Sequence, residues 1–344
     1  MSPIASSIII SSLATGTIIT ASSYHWLMAW VGLEINTLAI IPLISKKHHP
    51  RATEASTKYF LTQAAASALI LFSSTMNAQQ TGTWDITQLT TTQSNTLLSM
   101  ALAMKLGLAP THFWLPEVLQ GSTMTTALVI STWQKLAPLT LLYMSASNLP
   151  PTLLLILGAL STLVGGWGGL NQTQLRKIMA FSSIAHLGWI MTISFLLTNV
   201  MTLNLIIYII MTTTMFSTLI LSNLKTIKDT TTLSTTSPAQ TTLMALALLS
   251  LGGLPPLSGF IPKWLILEEL TKQNLIPMAL LMVMAALLSL FFYLRLMYTT
   301  TMTLAPNTTT STHKWRFTQQ KSTTLTSLTA PLTLLLLPTT QMLT

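Results

Sequence analysis

The chain has 344 residues, half of them apolar, only 7% charged and none of them cysteine. A soluble domain carries roughly 25% charged residues, so a water-exposed surface cannot be built here and lipid is the expected solvent. The missing cysteines exclude disulfides, thiolate nucleophiles, iron–sulfur ligation and cysteine-held zinc.

Apolar runs of about 20 residues, the length that crosses a bilayer, lie near 3–21, 24–45, 55–76, 95–120, 123–144, 151–170, 174–196, 200–223, 241–270, 277–298 and 323–342. The first lacks a basic leading segment and runs directly into the second, so it reads as a span and not as a cleaved signal. Many runs are rich in Ser and Thr, whose hydroxyls can bond back to their own helix carbonyls. The expected fold is an all-α polytopic membrane protein of about eleven transmembrane helices, a single membrane domain over 1–344.

Eleven spans place the termini on opposite sides. The loops on the N-terminal side hold Lys46, Lys47, Arg51, Arg176, Lys177, Lys225, Lys228, Lys314, Arg316 and Lys321, against Lys272 alone opposite. That asymmetry is the positive-inside pattern, and it puts the N-terminal side toward the compartment of synthesis. The net charge of +9 is thereby accounted for as topology, and no nucleic-acid partner is expected.

Two runs are interrupted alike. The fourth reads Gly107-Leu108-Ala109-Pro110 and then Phe113-Trp114-Leu115-Pro116-Glu117; the ninth reads Gly253-Leu254-Pro255-Pro256 and then Gly259-Phe260-Ile261-Pro262-Lys263. A shift of 146 superposes Gly107 on Gly253, Leu108 on Leu254, Pro110 on Pro256 and Pro116 on Pro262. Five spans separate their starts, so the two cross in opposite senses. Matched interruptions of this kind predict two discontinuous helices in an inverted repeat, with halves at about 24–145 and 151–298 and a C-terminal helix at 323–342. The plainer reading of each is a tolerated proline kink.

Ionisable residues inside spans are expensive and mark function by default. Glu34 lies near the centre of the second span. Lys105 lies five residues before Pro110, whose missing N–H frees the Leu106 carbonyl. Lys135 is central in the fifth span beside Gln134. Lys263 follows the ninth-span prolines and serves equally well as an intramembrane group or as a cation snorkelling to the interface. His112 and His186 suit proton relay, or interhelical hydrogen bonding; neither span supplies the paired histidines of a two-haem bundle. Lys58, Glu117 and Arg295 fall near span ends and read as interfacial.

The stretch Lys105-Leu-Gly-Leu-Ala-Pro110-Thr-His112-Phe-Trp114-Leu-Pro116-Glu117 resembles the lysine-bearing broken helix of the antiporter-like proton-pumping subunits of respiratory complex I. The run from Leu175 through Arg176, Lys177 and His186 to Gly188, and Leu251-Gly252-Gly253-Leu254-Pro255-Pro256-Leu257-Ser258-Gly259-Phe260, resemble two further segments of that family in the same order. The length, the span count and the short termini are most similar to its animal mitochondrial members, which lack the three leading helices of longer bacterial ones.

The resemblance implies a role for each position. Glu34 and Lys105 would be the acid and base of a first half-channel, Lys135 the connecting lysine, Lys263 the exit group, and His112 and His186 relays. It also implies a core membrane subunit of the H+-translocating NADH:ubiquinone reductase, moving protons from matrix to intermembrane space. No cofactor is expected in this chain; FMN, iron–sulfur clusters, NADH and ubiquinone would belong to other subunits. Expected partners are other complex I membrane subunits, further antiporter-like ones included, and lipids such as cardiolipin. The expected location is the mitochondrial inner membrane, with the N-terminus in the matrix and the C-terminus in the intermembrane space. The alternative is a free-standing cation/proton antiporter using the same broken helices.

Overall fold

The computed structural model describes residues 2–303 and 323–335. These form helices and turns, with two isolated bridges (His25 with Asp85, Gln174 with Thr226) and no strand among the described residues. In chain order the helices are α1 (Pro3–Ser22), α2 (Trp26–Ile44), α3 (Pro50–Thr81), α4 (Thr92–Leu106), α5 (Trp114–Gly121), α6 (Met124–Ser131), α7 (Trp133–Ser145) and α8 (Pro151–Gly169). There follow α9 (Leu175–Ile193), α10 (Thr198–Ser222), α11 (Ile227–Thr230), α12 (Leu233–Thr236), α13 (Pro238–Gly252), α14 (Phe260–Lys272), α15 (Ile276–Thr301) and α16 (Thr324–Leu335).

Among the described residues six helices, α1, α2, α3, α8, α10 and α15, are long and apolar enough to cross a membrane. The other expected spans appear as α9, as α16, and as the interrupted pairs α4–α5, α6–α7 and α13–α14. Lys314, Arg316, Lys321 and positions 336–342 of the last expected span lie outside the described residues.

The chain divides into two compact units, Met1–Ser161 with Leu187–Thr198, and Thr162–His186 with Asn199–Thr344. In the first, α1 packs along α2, α2 on α3, and α3 on α4 and α5, while α7 touches α1, α2 and α4. The back-bonded hydroxyls are present throughout: Thr17 and Thr20 donate to the carbonyls of Ala14 and Thr17, each at 2.8 Å. This removes polar hydrogens from the lipid without any partner helix.

The α1–α2 seam depends on glycine. A methyl on Gly16 would collide with Asn36 Oδ1 and stand 2.9 Å from the Gly32 carbonyl. Gly16→Ala is therefore expected to cost about 1–3 kcal/mol by overpacking, read as a lower midpoint of thermal inactivation of the solubilised protein.

In the second unit α13 packs on α15 and α16, and α15 also receives α11, α12 and α14. Thr226 and Asp229 close α11 with a reciprocal capping box. Partial burial works to raise the Asp229 carboxyl, but the N–H groups of Thr226 (2.8 Å) and Lys225 (3.0 Å), together with the Thr226 hydroxyl and the Lys225 charge, outweigh it and hold the group below the usual carboxylate range. A depressed folded value means that this stabilisation is full above the ordinary carboxylate range and is lost as acid passes the folded value. Arg295, expected to snorkel, instead donates to the carbonyls of Leu170 (2.5 Å) and Gln172 (2.7 Å). Both carbonyls lie just past the end of α8 at Gly169, where no further helical N–H follows to take them, and the guanidinium supplies a donor to each.

Both Gly/Pro interruptions are real breaks, and they share one geometry. Gly107 turns left-handed at φ +76°, its N–H reaching the carbonyls of Ala103 and Met104, while the Leu108 N–H takes the Ala103 carbonyl. Gly253 does the same at φ +78°, bonding Leu249 and Ser250, with Leu254 on Leu249. Every partner in the second set lies 146 residues beyond its counterpart in the first. The pattern is a Schellman close, which needs a residue without Cβ at the left-handed position. The helices resume at Trp114 and Phe260, again 146 apart.

A third break, between α6 and α7, does not show in the residue pattern. Thr132 departs from ideal helix angles (φ −110°, ψ −70°), and its hydroxyl takes the Leu128 carbonyl at 2.7 Å. Six residues on, Pro138 sits inside α7, where it can offer no N–H to the Gln134 carbonyl.

Candidate functional site

In the first unit the left-handed close at Gly107 consumes the carbonyls of Ala103 and Met104 and leaves that of Leu106. Lys135 takes it, with Nζ 2.5 Å from the Leu106 oxygen. The lysine reaches there because α7 begins afresh at Trp133 and packs on α4. Its ammonium also stands 5.4 Å from the centre of the Trp114 ring, within cation–π range. Trp114 is fixed in turn by its own Nε1, which donates to the Met104 carbonyl at 3.2 Å.

Lys105, one residue earlier on α4, is buried and its Nζ makes no hydrogen bond among the described residues. Glu34 on α2 is half-buried, and its carboxylate accepts the Thr37 hydroxyl at 3.0 Å. The acid and the base are not in contact, yet the Glu34 charge acts on Lys105 and on the phenol of Tyr59. A small cavity, about the size of one water molecule, is lined by Asn36, Tyr59, Gln63, Lys105, Gln134 and Lys135, among others. Asn36, Gln63, Lys105 and Gln134 each have a buried polar atom with no hydrogen-bond partner among the described residues. Buried polar atoms seldom go unpaired, so their convergence on one space is informative. His112 is buried in the α4–α5 connection, its ring centre 4.3 Å from that of Phe113.

In the second unit Lys263 on α14 donates to the Gly252 carbonyl at 2.8 Å. Gly252 is the counterpart of Leu106 under the 146-residue shift. Two lysines from unrelated positions thus hold the same carbonyl, the last before a left-handed glycine. Lys263 therefore turns inward and does not snorkel. His186 on α9 is buried, and Lys263 acts on it electrostatically.

Glu34, Lys105, Lys135 and His112 accordingly fall in the first unit, and Lys263 and His186 in the second. Glu117 pairs with Lys58 at 2.6 Å, and Lys58 also meets Glu54, on an exposed surface. The residue pattern passed over Tyr59, Gln63 and the side chain of Asn36. Gln63 carries the signal that singles out Gln134, an amide midway along an apolar run, but it carries no charge to draw attention. No group of three or more His, Asp or Glu able to hold a metal occurs among the described residues.

Comparison with known proteins gives this geometry a family. The family described as NADH:quinone oxidoreductase/Mrp antiporter, TM, matches residues 23–289, and NADH dehydrogenase subunit 2 C-terminus matches residues 290–344. NADH-ubiquinone oxidoreductase chain 2 of Varanus timorensis is 57% identical over 343 residues, covering 100% of this chain and 99% of the relative. That of Salmo salar is 60% identical over 316 residues, covering 92% and 90%. A chain of respiratory complex I from Thermus thermophilus superposes with a TM-score of 0.82 at 28% identity, over 96% of this chain and 78% of that one. A chain of the Mrp complex from Dietzia shares the fold at a TM-score of 0.84 and 17% identity, over 97% and 75%. The chain therefore belongs to the NADH:quinone oxidoreductase/Mrp antiporter membrane family, in the branch whose members are the NADH-ubiquinone oxidoreductase chain 2 proteins.

Proposed function

We propose that Glu34, Lys105, Lys135 and Lys263 carry the protons in this chain, which is a proton-translocating core membrane subunit of respiratory complex I. One observation supports the assignment above the others. In each unit a lysine deep in the protein is seated on the carbonyl that a broken helix leaves over. Irregular backbone at membrane depth is tolerated where it is buried in protein or lines a polar cavity, and a lysine there is placed to exchange a proton. His112 and His186 are the intermediate relays, since imidazole passes a proton between its two nitrogens.

The work is divided between subunits. Without cysteine this chain cannot ligate an iron–sulfur cluster through thiolates. We assign FMN, the clusters, NADH and ubiquinone to other subunits, and to this one the proton path alone. The neighbours are other complex I membrane subunits, further antiporter-like ones among them. The exposed Arg51 and Lys46 suit the acidic headgroups of lipids such as cardiolipin. The Lys and Arg asymmetry supports an orientation in the mitochondrial inner membrane with the N-terminus in the matrix, and transport from matrix to intermembrane space.

The test is Lys263→Met in the assembled complex, reconstituted in sealed vesicles. The expected result is a lower ratio of protons moved to electrons passed, with NADH oxidation retained. An unchanged ratio would remove Lys263 from the path. The rival reading, a free-standing cation/proton antiporter, requires the isolated chain to exchange sodium for protons with no partner subunit present.

A further inference from the structure

The cavity in the first unit holds more polar chemistry than its two lysines. Lys105 Nζ, Asn36 Nδ2, Gln63 Nε2 and Gln134 Nε2 all lie buried without a hydrogen-bond partner among the described residues, and all four residues line this space. They come from four helices, α4, α2, α3 and α7, and Asn36, Gln63 and Lys105 are each at most 4% exposed. A buried donor left unpaired costs about 1–3 kcal/mol, so four on one space call for a shared partner. All four are N–H donors, and that partner must bring lone pairs, which a metal cation does not. The space has room for about one water molecule. A water accepts two hydrogen bonds and donates two, and an amide turned over presents its oxygen to those hydrogens.

The neighbours of Gln63 on α3 show why an amide stands there. Thr62 donates to the carbonyls of Lys58 and Tyr59 at 3.0 and 3.1 Å, and Ser67 to that of Ala64 at 2.9 Å. A hydroxyl of this kind is satisfied by its own helix and offers nothing across the bundle. A carboxylate would reach across, but it would hold the Lys105 ammonium in its charged form. An amide reaches across and is neutral whatever the state of the lysine. Tyr59, one turn earlier on α3, lines the same cavity, so this face of the helix is turned to it. Asn36 and Gln134 have second roles, Asn36 with its Oδ1 against Gly16 in the α1–α2 seam and Gln134 in the first turn of α7. Gln63 has the cavity and, among the described residues, no hydrogen-bond partner for its Nε2.

A water seated there gives Lys105 what its protein neighbours do not, a lone pair facing the ammonium. When Lys105 releases a proton, one N–H bond breaks and one O–H bond forms on the water. The water returns to its neutral form by giving up another of its hydrogens across the cavity, where Lys135 in its neutral form can accept it. The amides neither gain nor lose a proton in the exchange. Their part is to fix where the oxygen sits and which way its lone pairs point, and proton transfer depends on both.

We propose that Gln63 is a positioning residue for proton transfer at Lys105, seating one water molecule against the lysine in the cavity that Asn36 and Gln134 also line. The inference rests on the functional reading above, in which Lys105 carries protons. A merely structural glutamine would contribute to stability and leave the proton count alone.

The experiment reads protons per electron and the midpoint of thermal inactivation in the assembled complex, reconstituted in sealed vesicles. Gln63→Met, apolar and of similar length, is expected to lower the ratio as far as Lys105→Met does. It should leave the midpoint in place, since it removes a buried amide together with that amide's need for a partner. A lower midpoint at an unchanged ratio marks a structural residue and overturns the proposal. The double variant with Lys105→Met is expected to be no lower in ratio than Lys105→Met alone, because both act on one transfer, and a lower double overturns it. A map of ordered water in the unaltered complex is expected to show one molecule in the cavity within hydrogen-bond distance of Gln63, and a dry cavity overturns the proposal. Chloride also offers lone pairs. With gluconate in its place throughout, the ratio is expected to hold, and a fall assigns the cavity to an anion and overturns the water seat. If Gln63→Met does not assemble, Gln63→Asn decides, because it draws the amide back by one methylene: a lowered ratio supports the proposal and an unchanged one overturns it. Lys105→Met at an unchanged ratio brings down the functional reading of Lys105 and this inference with it. Lys105→Met lowered beside Gln63→Met unchanged brings down the inference alone.

Discussion

Lys105→Met is expected to assemble normally and to slow proton transfer through the first unit by about 10²-fold or more, the scale lost with a positioned proton carrier. Assembly should survive because Lys105 Nζ has no hydrogen-bond partner among the described residues to lose. An apolar side chain of similar length in a buried site is often neutral or stabilising relative to a charge. The measurement is protons per electron in vesicles, with NADH oxidation followed in parallel to show that electrons still pass. Lys105→Arg sharpens the result. It keeps the positive charge near Glu34 but cannot release a proton, so it too should lower the ratio. A chain that is only a scaffold predicts no change in either variant.

Gly253→Ala is expected to damage both stability and transport. The left-handed backbone alone costs about 1–2 kcal/mol with any Cβ, and this Cβ would lie 2.8 Å from Lys263 Nζ. Lys263 must then leave the Gly252 carbonyl. Gly107→Ala is the matched comparison: its backbone cost is the same, but the new methyl meets the Trp114 ring at 3.1 Å and spares the bond between Lys135 and Leu106. Both variants should lower the midpoint of thermal inactivation, and Gly253→Ala should show the deeper fall in protons per electron. Equal ratios would mean that the seat of Lys263 on Gly252 has no part in transport.

Much of this was legible in the residues because lipid imposes hard rules. Charge at mid-span is rare and costly, so Glu34, Lys105 and Lys135 stood out at once. Glycine ahead of proline at one repeated offset located both left-handed closes. What stayed hidden depends on contacts between distant segments. The Leu106 carbonyl reads as free beside Lys105, yet its partner is Lys135, 29 residues on. Lys263 looked as much interfacial as internal, because sequence distance from a proline says nothing of the direction a long side chain takes. The break at Thr132 has no local signature, since a threonine back-bonded to its own helix is ordinary in this chain. Gln63, Asn36 and Tyr59 are neutral, and neutral polar residues are too common among these Ser- and Thr-rich helices to be picked out by type.

The two seats on Leu106 and Gly252 have a consequence for where the compensating charge resides. α4 and α13 both end there, and the end of a helix presents roughly half a negative charge on its unpaired carbonyls. Each lysine therefore faces a partial counter-charge made of peptide dipoles. It neither titrates nor swings away, and it keeps its sign whatever the protonation of the carboxylates around it. A search for the lysines' counter-ions among acidic side chains would overlook this part, and no side-chain substitution on α4 or α13 would delete it.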